Sequence, residues 1–540
     1  MLGAKLFYNN NPKYRMNGGL HWIDYLLIIL SILGTIAMGI YFSKRQKSSE
    51  DYFAGGGGIP AWAIGMSIFA TLISSVTFLA YPSAAYKSNW ILLVQGLMVP
   101  IVLLGMIWVI VPLFRKVIGL STYEYFEKRF GFFARLYSSL AFVLTHFSKM
   151  GTVLYLVSLA LSSMIGIDIF LIIGVLTFVI IVLTLLGGIE AVIWMDVIQG
   201  FLLIGGGLFC LGLLLFVPEG GPSEVMGKAI EMNKIGFGPY DIDFTQLTFI
   251  VMVFNGFFYA IQKYGTDQTI VQRYLTARND QEAKKAAYMG VFLSVPVWAL
   301  FMLIGSLLYV FYNSSGAALP EGTSVDEVFP YFIMSQLPPG VTGLVLSALA
   351  AAAISSLDSD MNCLAAVGVE DYYKRFRPHC TSQQKLKVGR ILVFISGLAA
   401  AVVAVLYVLW DGQGVLGAVF GLYAIFSAGI VGIFLLGILS RRANKQGLYV
   451  GIAACVLFTA YALLTSSPMG FGGDEKLLLD LGKYNFTQHK YMLGVYSHVI
   501  VLVVGYGASL FFPSPKAPEN LTIYGYLKGK NKTEKIKEFS

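Results

Sequence analysis

The chain has 540 residues, of which 56% are hydrophobic and only 13% are Asp, Glu, Lys or Arg. Soluble domains carry about 25% charged residues, so a water-soluble globular fold is excluded and most of the chain must meet lipid. The net charge of +8 would point to nucleic acid in a soluble protein; here the basic residues follow membrane topology, and no nucleic-acid partner is expected.

Apolar runs of roughly 20 residues, enough to cross a bilayer, occur near 23–42, 61–86, 91–113, 133–164, 168–187, 191–217, 246–265, 283–312, 341–371, 387–409, 414–438, 447–466 and 492–512. The expected fold is therefore an all-α membrane protein with about thirteen transmembrane helices. The first run is too long for a signal-peptide core and no small-residue cleavage site follows it, so it reads as a retained span. The second reads FATLISSVTFLAYP, with Ser74, Ser75, Thr77 and Pro82 at membrane depth. Hydroxyls and a proline there point to a discontinuous helix whose freed backbone groups line a cavity.

Further along, Lys149 lies near the middle of 133–164, too deep for easy snorkelling. Asp196 sits just inside its helix, as a cation ligand or an interfacial charge. Lys263 lies near one end of 246–265, where it either snorkels to water or faces the cavity. If both lysines face the cavity, the solute is anionic or rich in hydroxyls. In 341–371 the stretch ISSLDSDMN puts Ser355, Asp358 and Ser359 on one helical face. An Asp at membrane depth costs on the order of 2.5–3.5 kcal/mol, so it tends to be paired, neutralised or bound to a cation. Hydroxyls, a carboxylate and backbone carbonyls together suit a hard cation such as Na⁺; the bland reading is small packing residues with Asp358 at a wet helix end.

Basic residues collect in alternate connections: Lys44, Arg45 and Lys47; Arg115, Lys116, Lys128 and Arg129; Arg273, Arg278, Lys284 and Lys285; Lys374, Arg375, Arg377, Lys385 and Lys387; and Arg441, Arg442 and Lys445. The positive-inside rule then puts the N-terminus outside and the C-terminus in the cytoplasm, in the cell membrane. Residues 1–512 read as a single transmembrane domain, and 513–540 as a basic cytoplasmic tail. Within it, 61–217 and 246–438 form two blocks of five helices, antiparallel because five is odd, as in inverted-repeat transporters. The four cysteines and five histidines are scattered. With no Ser/His pair, metal motif or phosphate loop, no enzyme is expected. A channel and a non-transporting solute sensor are the competing classes.

Five blocks, EDYFAGGG at 50–57, STYEYFEKRF at 121–130, GGIEAVIWMDVIQG at 187–200, TDQTIVQRYL at 266–275 and SALAAAAISSLDSDMN at 347–362, resemble the sodium/solute symporter family in order and spacing. The resemblance implies an inverted five-plus-five helix core, alternating access, and coupling to Na⁺. It implies an ion site from Ala70, Ile73, Ala352, Ser355 and Ser356, and a second from Asp196, Asp358 and Ser359. Two departures weaken that second set: Met195 stands where Thr is frequent, and Asp358 where Ser is frequent. Within the family, FATLISSVTFLAYPSAAY is most similar to bacterial sialic acid transporters. The resemblance then implies solute contacts at Ser74, Ser75, Thr77, Gln95, Lys149, Asn255, Phe258, Gln262, Lys263 and Tyr264. Lys149 replaces an Arg of those transporters and is similar to the lysine of glucose-type members, and Gln95 is displaced by one residue. An acidic sugar, a neutral hexose and a small monocarboxylate all stay open, as does the oligomeric state.

Overall fold

The computed structural model describes residues 20–43, 48–314, 319–409, 428–466, 477, 479–513 and 519–526. Among these residues there is no strand, and one isolated backbone bridge joins Ile59 to Ala277. The helices that matter are α1 (Trp22–Ser43), α2 (Ala61–Leu72), α3 (Val76–Lys87), α4 (Leu93–Val117), the short α5 (Glu124–Phe130), α6 (Phe132–Ile165) and α7 (Ile169–Phe216). They continue as α8 (Phe249–Gly265), α9 (Gln268–Thr276), α10 (Asp280–Ser314), α11 (Val341–Phe376), α12 (Ser382–Leu409), α13 (Ile430–Leu439), α14 (Lys445–Ser466) and α15 (Lys490–Ser509).

Among the described residues, nine of these are long and apolar enough to cross a membrane, and the bent pair α2–α3 brings the number to ten. The expected thirteen differ from this in three places. The runs 168–187 and 191–217 together make up α7, two helices joined directly across a kink at Gly188, whose φ of 56° and ψ of −174° are not helical. The run 246–265 yields a helix of 17 residues, just short of a full span. Most of 414–438 lies outside the described residues, as do Lys44, Arg45, Lys47 and about two thirds of the tail.

The most enclosed span is α11, with 83% of its most apolar stretch buried, against 11% for α1. Thus α11 is the central element, and α1 turns Leu26, Ile29, Leu30 and Leu33 outward, as a lipid-facing helix must. One polar anchor ties the two: the Asp24 carboxylate accepts from the amides of Gly340 and Gly343, both at 2.7 Å. Those amides belong to the first turn of α11, where N–H groups have no intrahelical partner and the dipole favours an anion. Around α11 pack α6 and α7, and α2 packs between α7 and α10.

Not every residue of the basic connections reaches water. Arg273 is no loop residue: it lies in α9 and is fully buried. Ion pairs, some of them buried, tie several of the other connections together. Arg135 bridges Glu127 at 2.7 Å and Asp371 at 2.5 Å, Arg375 joins Glu127 at 2.7 Å, and Arg115 joins Asp280 at 2.9 Å.

Candidate functional site

The break between α2 and α3 organises the site. The last backbone bond of α2 runs from Ile73 N to Phe69 O at 3.0 Å, and the next beyond it from Phe78 N to Ser74 O at 3.1 Å. Between them Ile73 is extended (φ −97°, ψ 104°) and the two axes bend by 57°. The carbonyls of Ala70 to Ile73 thus sit at a helix end, where no intrahelical donor reaches them. The serines explain the break locally. Ser74 Oγ accepts from Val76 N at 3.2 Å and Ser75 Oγ donates to Val153 O at 3.1 Å, so short hydroxyls compete with the helical ladder. A π-helical stretch, Val76–Ala80, follows, a geometry frequent at functional sites.

On α11, Ser355 and Ser356 are fully buried. Ser355 Oγ donates to the Asp196 carboxylate, whereas Ser356 Oγ has no hydrogen-bond partner among the described residues. Nor has Asp358 Oδ2, although Ser359 Oγ donates to Asp358 Oδ1 at 3.4 Å. Asp196 also takes a hydrogen bond from Ser67 and an ion pair from Arg273 Nη2 at 3.0 Å. The same guanidinium donates to Ser359 Oγ at 2.8 Å and to Ser67 Oγ at 2.7 Å. Arg273 therefore shares its donors between two residues of the expected second ion set.

Beside the break lies a cavity of about 150 Å³. Eight of the ten expected solute contacts line it: Ser74, Thr77, Gln95, Lys149, Asn255, Phe258, Gln262 and Lys263. Asn255 donates to Gln95 across it at 2.8 Å. Ser75 and Tyr264 are not in its wall. Each is buried one residue along from a lining position, about 100° around the helix, Ser75 spending its hydroxyl on Val153.

Both lysines are paired. Lys149 Nζ lies 2.9 Å from Asp360, and Lys263 Nζ 2.5 Å from Asp267. His146, one turn before Lys149, stands between the two acids, with Nδ1 2.9 Å from Asp360 and Nε2 3.6 Å from Asp267. The cavity wall also includes Tyr81, Tyr123, Tyr259, Trp298, Tyr491 and His498, which the sequence reading did not single out. His146 carried a usable signal, because its spacing of three from Lys149 puts both on one face. Asp267 sat inside a quoted block. Asp360 also sat inside a quoted block, but its pairing had no local signal, since its partners lie more than 200 residues away in the chain.

Comparison with known proteins gives a consistent set of likenesses. The profile of the sodium:solute symporter family matches residues 52–454. The sodium/sialic acid symporter NanT of Aliivibrio fischeri is 36% identical over 436 residues, 80% of this chain and 86% of the relative. SiaT of Proteus mirabilis, a protein of the same description, is 34% identical over 81% of this chain and 88% of its own. The sodium/glucose cotransporter of Vibrio parahaemolyticus is 28% identical, covering 84% and 87%. Among solved structures, a Na⁺-coupled sialic acid symporter in a substrate-bound outward-open state superposes with a TM-score of 0.83 at 31% identity, over 92% of this chain and 99% of that one.

Proposed function

This chain belongs to the sodium:solute symporter family, and on that premise we propose that it imports an acidic sugar of the sialic acid class together with Na⁺. The observation that carries the solute class is the cavity wall: hydroxyls and amides from Ser74, Thr77, Gln95, Asn255 and Gln262 surround two lysines, Lys149 and Lys263. Hydroxyls and amides suit a polyol, and ammonium groups suit a carboxylate. The relatives' names support the same class.

The ion site is Ala70 and Ile73 through their carbonyls, with Ala352, Ser355 and Ser356 on α11. Three features support it: the helix break that frees the carbonyls, the burial of both serines, and the hydroxyl of Ser356 that no protein group satisfies. Oxygen-only coordination of this kind fits a hard cation. The second set, Asp196, Asp358 and Ser359, has less room for a cation, since Arg273 already brings a positive charge to two of its members. One ion per cycle is the reading favoured here.

The architecture we assign is a single transmembrane domain over 1–512, with inverted repeats over 61–217 and 246–438 and a basic tail at 513–540. Thirteen spans follow if the kink at Gly188 divides α7, α8 counts as a short span, and α13 is the end of the span at 414–438. That count supports the N-terminus outside and the C-terminus inside. The cavity of about 150 Å³ is smaller than the roughly 300–1,000 Å³ of sites that enclose a solute. Its wall must therefore part for a sugar to enter, which alternating access of the two repeats supplies.

A neutral hexose is the second reading, favoured by the pairing of each lysine with an aspartate, which leaves no obligatory anion. Uptake into proteoliposomes separates the two, with labelled sialic acid and labelled glucose offered under an inward Na⁺ gradient. Gradient-driven accumulation of sialic acid is expected. Accumulation of glucose alone overturns the acidic-sugar reading and keeps sodium coupling.

A further inference from the structure

Five ionisable side chains form one chain of contacts, four of them (Lys149, His146, Asp267 and Lys263) in the cavity wall and the fifth, Asp360, buried behind it. Lys149 Nζ meets Asp360 at 2.9 Å, Asp360 meets His146 Nδ1 at 2.9 Å, His146 Nε2 faces Asp267 at 3.6 Å, and Asp267 meets Lys263 Nζ at 2.5 Å. With a neutral imidazole the two lysines and two carboxylates cancel. The imidazole, however, has a carboxylate opposite each nitrogen. A carboxylate only accepts hydrogen bonds, and a neutral imidazole donates from one nitrogen alone. A neutral ring would therefore aim a lone pair at one carboxylate oxygen; a protonated ring satisfies both. The Phe142 ring, 4.0 Å from the imidazole between centroids, adds the electron-rich face that attracts a cation.

Protonating His146 leaves the cluster with one positive charge too many, at a depth where an unbalanced charge is costly. One solute carboxylate cancels it. Each lysine has three N–H donors, more than its aspartate pairing uses, and both line the cavity, so donors remain for that carboxylate. We propose that this cluster is the recognition site for a singly charged anionic solute, and that His146 takes up one proton when the solute's carboxylate binds. His498 also lines the cavity, where its Nδ1 has no hydrogen-bond partner among the described residues; the other titratable groups around the cluster are the phenols of Tyr81, Tyr123, Tyr259 and Tyr491, in the same wall, and the thiol of Cys363, which donates to Gln272 at 2.9 Å. Phenols and thiols are uncharged at neutral pH. Arg273, one turn along α9, is committed to Asp196. The proton and the anion then stabilise each other's binding by the same factor. The inference rests on the acidic-sugar reading above and extends it.

The test measures protons exchanged on binding. Sialic acid is titrated calorimetrically into the purified protein in saturating Na⁺, in buffers of different ionisation enthalpy. Wild-type protein is expected to take up close to one proton per solute, and its Kd to weaken by up to about tenfold per pH unit as pH rises. His146→Gln and His146→Asn are expected to bind more weakly and to lose both the proton uptake and the pH slope. Binding by the wild type without proton uptake overturns the inference, and so does undiminished uptake in either variant. If proteoliposomes accumulate sialic acid on Na⁺ while the calorimetry finds no proton, this inference alone fails; if they do not accumulate it, the acidic-sugar reading fails with it.

Discussion

Ser355 and Ser356 are adjacent on α11, yet their hydroxyls are in opposite situations. Ser355 is spent on Asp196, while Ser356 is buried with no protein partner. Removing the Ser356 hydroxyl should therefore touch the ion and little else. Ser356→Ala is expected to raise the Na⁺ concentration for half-maximal uptake by about tenfold, the equivalent of ~1.4 kcal/mol for one lost polar contact, with an unchanged melting temperature. Unaltered Na⁺ activation would take Ser356 out of the site. Arg273 is the counter-case, a residue whose loss should be structural first. Its guanidinium and Asp196 are both fully buried and face each other at 3.0 Å. Arg273→Met leaves Asp196 buried without its counter-ion, a change that costs about 3–5 kcal/mol when one partner of a buried pair is removed. Thermal unfolding in detergent should register that loss, and the double change with Asp196→Asn should recover part of it. A stable Arg273→Met protein would mean that the pair does not hold α7 and α9 together.

At the scale of the elements, two interruptions shape the core: the break between α2 and α3, and the kink at Gly188. The first was legible in the sequence, because Ser74, Ser75, Thr77 and Pro82 violate the lipid rule within a few residues. The second was legible as a gap between two apolar runs, and the backbone narrows that gap to a kink at one residue. Gly188 holds φ 56° with ψ −174°, a region open essentially to glycine. Gly188→Ala is expected to cost about 1–3 kcal/mol, read as a lower melting temperature, with the Na⁺ dependence of the surviving uptake unchanged; a stability equal to wild type would show that the kink relaxes freely. Eight of the ten expected contacts are in the cavity wall, and most of them are polar anomalies in an apolar helix. Ser75 and Tyr264 lie outside that wall because one residue's step turns a side chain to another face. Pairings such as Lys149 with Asp360 are tertiary facts between helices that no local pattern encodes. Charge counting placed Arg273 in the connection between α8 and α10, but its burial against Asp196 is another tertiary fact.

For the whole molecule, the basic connections matter twice, for stability and for orientation. Glu127 on α5 is partly buried, which works to raise its pKa, but hydrogen bonds from Arg135 and Arg375 outweigh this and hold it below the usual range. A lowered folded-state pKa means the stabilisation is full above the ordinary glutamate value, about 4.3, and disappears as pH falls through the folded value. Wild type should therefore melt above Glu127→Gln from pH 5 upward, on the order of the range where glutamate is ionised, and the two should converge in stronger acid. A constant gap at all pH values would assign the difference to packing. Orientation has a test that needs no substitution. Cys210, Cys363 and Cys455 are buried, and Cys380 alone of the four is partly exposed. It lies between α11 and α12, in the connection that carries Lys374, Arg375, Arg377, Lys385 and Lys387. The positive-inside rule puts that connection in the cytoplasm. In right-side-out vesicles, a membrane-impermeant maleimide should leave the protein unlabelled and should modify Cys380 once the membrane is permeabilised. Labelling of intact vesicles would invert the topology, turning the basic connections outward and the direction of solute entry with them.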